Sequence, residues 1–163
     1  MIVIEKWRNN GKISALHGCI SAGKEANVYL ANGNMNFETM ELYPEGTPTK
    51  DYAIKIFKTS ILIFKDRERY VDGEFRFRNG HCKNNPRKMV KLWAEKEVRN
   101  LKRIALIDPK VPVPTPHIFK QNIILMDFIG EDGVAAPRLR DAAADLDWVD
   151  AYEQTLLITR RLF

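Results

Sequence analysis

Polar and apolar residues change period several times along the chain, and each change predicts an element. From Ala15 to Ala31 two short runs, LHGCIS and ANVYLA, flank the polar turn AGKE, which predicts a pair of strands. Asn32-Gly33 then supplies a strong turn signal. A connection containing Pro44 and Pro48 leads to a third strand over Asp51 to Lys58. There Ala53, Lys55 and Phe57 share one face and Ile54 and Ile56 the other, as a period of two dictates. Ahead of these strands, Ile2 to Trp7 predicts one or two helical turns that stop near Gly11.

The period then lengthens. Pro86 is a helix start signal. From Arg87 to Leu106, Met89, Trp93, Leu101 and Ile104 recur on one face with Ala94 beside them, which is helical spacing. Asp108-Pro109 and the run PVPTP end that helix in a stiff extended connection. His117 to Phe119 and Asn122 to Ile129 predict a strand pair, and NIILMDFI is as continuously apolar as a buried strand requires. Gly130 to Pro137 reads as a loop, and Asp147 to Phe163 as a helix with Trp148, Tyr152, Leu156 and Thr159 in register. Thr59 to Pro86 has no clean period; GEFRFRNG fits a loop or a short strand. The resulting fold class is α+β: a mostly antiparallel five-stranded sheet with one long internal helix.

Composition adds limits. With 163 residues, 45% of them apolar and 29% charged, the chain suits one domain, or one and a small part of another. It can bury a core without staples. No run approaches the ~18 apolar residues of a membrane span. The charged start MIVIEKWRNNGK is unlike a secretory signal. Cys19 and Cys82 sit in no CxxC or Cys/His cluster, which excludes a disulfide framework and a zinc site. The reading is a reduced, cytoplasmic protein with no membrane partner. Charge is uneven. The chain is +5, yet Lys58 to Lys91 alone holds ten Lys/Arg against four acids, or +6. That excess suits a polyanion such as RNA or a phosphorylated partner; a solvated basic helix face beside a polar loop explains it equally well.

Three features carry chemistry. Ser21 to Tyr29 (SAGKEANVY) is a small-residue turn between strands, whose backbone N–H groups can lie over a phosphate chain. No GK[ST] or helix follows it, so it is not a Walker loop, and taken alone an ordinary hairpin is the plainer reading. Lys55 lies in the middle of AIKIF, where its ammonium must reach a partner or solvent. An edge-strand lysine reaching outward is the plainer reading there. Glu97 falls four residues after Trp93 and four before Leu101, on the buried stripe, whereas Glu95 lies about 200° from Glu97 around the helix. A carboxylate on that stripe needs a cation, either Arg99 or a rim lysine, or Lys55 across the sheet–helix interface. The last pairing would set one fixed positive charge beneath the hairpin turn, where α- and β-phosphates would sit.

The segments SAGKEANVY, AIKIFKTSILIFKDRERYV followed by GEFRFR, NPRKMVKLWAEKEVRNL, VPVPTP and ILMDFIG together resemble the RIO family of atypical serine/threonine protein kinases, in its RIO kinase 1 type. The resemblance runs from about Leu16 to Phe163. It implies a kinase-like N-terminal lobe over 16–129, preceded by a helical extension over 1–15. A hinge exit and the first helices of a C-terminal lobe would occupy 130–163. It implies ATP and Mg²⁺ as cofactors. Ser21, Ala22, Gly23, Lys24, Glu25, Ala26, Asn27 and Val28 resemble the family's short phosphate loop. Ile20 and Val28 would cover the adenine, with Ala53 lining the same pocket. Lys55 would anchor phosphates with Glu97 as its helix partner, and Met126 would be the gatekeeper. Asp127 and Ile129 would offer hinge backbone groups to the adenine edge. Residues 59–86 resemble a family loop whose order depends on nucleotide, with Thr59, Ser60 and Tyr70 as phosphorylation candidates.

The sequence also departs from the family. No His-x-Asp-x-x-x-x-Asn occurs in it, and the final helical pattern has no cap. The base that accepts a substrate proton and the usual Mg²⁺ ligands are therefore expected in a C-terminal part, and the sequence is expected to be truncated. The family works in small ribosomal subunit maturation, so the resemblance implies pre-ribosomal particles as partner and ribosomal RNA as a contact. Phosphoryl transfer, with or without an ATPase cycle, is the leading reading. The alternatives are a non-catalytic nucleotide- or RNA-binding module and a plain RNA-binding α+β domain. Phe75 and Phe77 are expected first to pack beneath the loop and second to stack on bases.

Overall fold

The computed structural model describes residues 2–59, 73, 75, 78, 79, 85–107, 110–142 and 146–163. Most of the 59–86 segment, including Ser60, Tyr70 and Phe77, lies outside the described residues, as do Cys82 and Asp108-Pro109.

Five strands form one antiparallel sheet: β1 (Ala15–Ala22), β2 (Ala26–Gly33), β5 (Lys50–Phe57), β6 (Pro116–Lys120) and β7 (Ile123–Asp127), in the order β1-β2-β5-β7-β6. Strand alternation gives the sheet two apolar faces. On one, Ala26, Phe57 and Ile124 pack against Met89, Val90, Trp93 and Ala94 of helix α2 (Pro86–Ile104). On the other, Ala31, Tyr52, Ile54, Ile123 and Leu125 pack with Ile13 and with Trp7 of helix α1 (Ile2–Asn9). Each such large side chain stabilises the fold by roughly 1.5–3 kcal/mol when fully buried.

Helix α2 begins where sequence chemistry directs. Asn85 Oδ1 accepts from the Lys88 N–H at 3.1 Å, Pro86 occupies the first turn, and Lys102 and Arg103 lie in the last turn. Helix α3 (Trp148–Leu162) starts likewise on the Asp147 carboxylate, which accepts from the N–H groups of Val149 and Asp150.

Two stretches differ from the sequence reading. The connection after Gly33 contains a short hairpin, β3 (Met35–Asn36) with β4 (Glu41–Leu42). The segment after residue 129 is a hairpin rather than a loop, β8 (Gly130–Glu131) with β9 (Val134–Ala135). Asp132 and Gly133 both have positive φ there, a primed turn that two-residue strands accept. Phe75, expected to pack, is 77% exposed, with the Arg78 guanidinium 4.1 Å from its ring centroid.

Candidate functional site

Lys55 lies on β5, the central strand, so it is not an edge-strand lysine. Its Cα partners are Val28 on β2 and Ile124 on β7. Alternation directs it to the face that α2 covers, beside Phe57. Its Nζ donates to both Glu97 carboxylate oxygens at 2.7 Å and stands 5.0 Å from the Phe57 ring centroid. The two side chains are 25% and 30% exposed, so the pair is held between sheet and helix but open on one side. An ammonium has three donors; two serve Glu97, which leaves one for an incoming anion. Arg99, the other candidate partner, has interactions of its own.

The turn between β1 and β2 closes over the same place. Ser21, Gly23 to Ala26, Val28 and Lys55 line an open cavity of about 320 Å³. Gly23 N–H is spent on Ala26 O at 2.9 Å, so it is not one of the turn's free donors. Lys58, which sequence reasoning missed, ties the turn down: its Nζ donates to Gly23 O at 2.7 Å and its N–H to Glu25 O at 2.8 Å. Nothing in the local sequence signals that contact, because it joins residues 35 positions apart. Ser21, Ala22 and Lys24 are exposed, Asn27 is half-buried, and Ala26 is drawn into the core against Phe57.

One register step along the sheet, Leu30, Ala53 and Met126 form the next row on this face. Leu30 was also missed, although the period of two counted from Val28 would have found it. Ser21 stands opposite Val28, while Ile20 falls at a register shift in β1 and is half-buried. Asp127 ends β7. Its N–H donates to Thr115 O at 3.0 Å, and its carboxylate accepts from Thr115 N–H at 3.0 Å and pairs with His117 Nε2 at 2.8 Å. Burial pushes this carboxyl up, but the bonds from Thr115 and His117 outweigh burial and hold it below its ordinary value. Ile129 is exposed, and its carbonyl accepts from Ala136 N–H at 3.0 Å. Asp51 fastens the following hairpin by accepting from Gly133 N–H at 3.0 Å.

A five-stranded antiparallel sheet whose central lysine pairs with a glutamate of the packed helix is the architecture of a kinase-like N-terminal lobe. The solved Rio2 kinase of Chaetomium thermophilum, in its ADP/Mg²⁺-phosphoaspartate complex, has this fold: TM-score 0.58 and 20% identity, covering 95% of this chain and 38% of that one.

The chain belongs to the RIO family, since residues 27–163 match the RIO domain. It is 54% identical to serine/threonine-protein kinase rio1 of Schizosaccharomyces pombe over 141 residues, 86% of this chain and 25% of that protein. It is 48% identical to RIO1 of Saccharomyces cerevisiae, over 99% of this chain and 35% of that protein. Identity to human RIO1 is 45%, over 99% of this chain and 26% of that protein. The chain thus spans between a quarter and about a third of these relatives' length.

Proposed function

We propose that this chain is the nucleotide-positioning part of a RIO-type serine/threonine protein kinase that transfers phosphoryl groups from ATP. The observation that carries the reading is Lys55, on the wall of the cavity beneath the β1–β2 turn, held by Glu97 at 2.7 Å. A clamped ammonium there neutralises phosphate charge and fixes its position, which is what phosphoryl transfer asks of a protein. Ser21 to Val28 cover the phosphates, with Lys58 holding the turn. Ile20, Val28 and Ala53 contact the adenine, Met126 bounds its pocket, and the Asp127 and Ile129 backbone meets its edge. Mg²⁺, when bound, neutralises further phosphate charge. Among the described residues no group of three His, Cys, Asp or Glu side chains is placed to hold a metal.

The family reading extends to cytoplasmic maturation of the small ribosomal subunit, with pre-ribosomal particles and ribosomal RNA as partners. The basic run from Lys58 to Lys91 and the exposed Phe75 beside Arg78 support an RNA contact. No described helix is long and apolar enough to cross a membrane. Because the sequence has no His-x-Asp-x-x-x-x-Asn, this chain by itself is read as binding nucleotide without transferring phosphate.

Labelled-ATP transfer by the full-length protein tests the kinase reading. Incorporation that Lys55→Ala abolishes is the expected result. Equal incorporation by wild type and Lys55→Ala would overturn it.

A further inference from the structure

The back of the hinge holds a hydrogen-bond network that no periodicity along the chain announces. Asp127 pairs in register with Tyr52 on β5, so its side chain leaves the sheet on the face away from Lys55. Three hydrogen bonds then tie it to the start of β6: its N–H to Thr115 O, the Thr115 N–H to Oδ2, and His117 Nε2 to Oδ1.

His117 reaches that carboxylate because β6 slips. Pro116 pairs with Met126 and Ile118 with Leu125, so β6 advances two residues where β7 advances one, and His117 is the extra residue. In unbroken register His117 would sit opposite Met126, on the cleft face. A bulge re-aims a side chain in this way. On the back face its ring stacks on Phe37, with centroids 4.9 Å apart, and meets the Tyr52 ring edge-on at 5.5 Å. The His117 side chain is 13% exposed and that of Asp127 26%. Lys50 Nζ stands 3.7 Å from the same Asp127 oxygen. The imidazole is thus fixed on three sides, and the carboxylate it meets belongs to the residue whose backbone would face the adenine.

We propose that His117 is a positioning residue for the adenine: through the Asp127 carboxylate it fixes the hinge backbone that reads the base. This rests on the nucleotide reading above, so its test separates the base from the phosphates. A hinge held by three bonds presents its carbonyl in one orientation; with one bond lost it samples several, and only the adenine contact weakens. Lys55 and the phosphate turn lie on the other face and are untouched.

The experiment is calorimetric titration of the chain with Mg·ATP and, separately, with inorganic tripolyphosphate. His117→Phe keeps the ring stack and removes Nε2; His117→Gln restores an N–H donor. The expected result is that His117→Phe weakens ATP about fivefold or more, the size of one lost hydrogen bond, leaves tripolyphosphate unchanged, and is rescued by His117→Gln. Lys55→Ala should weaken both ligands. Unchanged ATP affinity in a folded His117→Phe, or equal loss for both ligands, overturns the positioning role. Should His117→Phe fail to fold, Asp127→Asn gives the same decision: selective loss of ATP supports the role, and no selectivity overturns it. If wild type binds neither ligand, the nucleotide reading fails first and the positioning role falls with it.

Discussion

Lys55 and Glu97 are each modest as stabilisers. Partly exposed ion pairs contribute about 0–1 kcal/mol, so Glu97→Gln should leave the melting temperature nearly unchanged. Its effect belongs to ligand affinity, because Lys55 loses the anion that holds it. Asp127 differs, since its carboxyl lies below its ordinary value in the folded chain. A lowered carboxylate contributes stability that is full above the ordinary range and disappears as pH falls through the folded value. Melting curves from neutral to acid pH should show a steeper acid limb for wild type than for Asp127→Asn, with the gap between them closing as pH drops. A constant gap would contradict this. The pairing of Lys55 with Glu97 was legible only in part: a carboxylate on an apolar helix stripe demands a cation, but spacing left Arg99, a rim lysine and Lys55 all open, and the family resemblance singled out Lys55. The bonds of Asp127 were not legible, because a one-residue slip in β6 decides them and no periodicity announces it.

Among the elements, the three α-helices and the five strands of the main sheet, short ones included, lie where the residue pattern puts them, and only the two small hairpins do not. Helix α2 and the five main strands follow from spacing over many residues. The β3–β4 and β8–β9 hairpins have strands of two residues, too short for alternation to show. Asp132-Gly133 was the missed turn signal. The second hairpin also depends on Gly130, where a Cβ would stand 2.1 Å from Val134 O and 2.7 Å from the Phe128 ring. Substitution there must displace backbone. Helix α2 depends on its cap: Asn85→Ala should cost about 1 kcal/mol, read as a melting temperature lower by roughly 2–4 °C. An unchanged value would mean that the Asn85–Lys88 bond contributes nothing in solution.

Across the whole molecule, apolar burial is concentrated on the two faces of the sheet, and α3 stands apart from both. Trp148, Val149, Tyr152, Leu156, Leu157 and Leu162 of α3 are about half or more exposed, and none of its residues is buried. Replacing Tyr152 and Leu156 together with Asp should therefore lower binding of an apolar-surface dye while leaving the melting temperature within about 2 °C, as surface changes do. A large loss of stability would place that face in a core. In the proposed function, one clamped ammonium holds a nucleotide. Calorimetric titration of Mg·ATP into wild type and Lys55→Ala decides whether it does. A lost charge-assisted contact is worth about 1.5–3 kcal/mol, so affinity should fall about ten- to a hundredfold in a variant that remains folded. Equal affinities in the two proteins would show that the Lys55 ammonium does not hold the nucleotide.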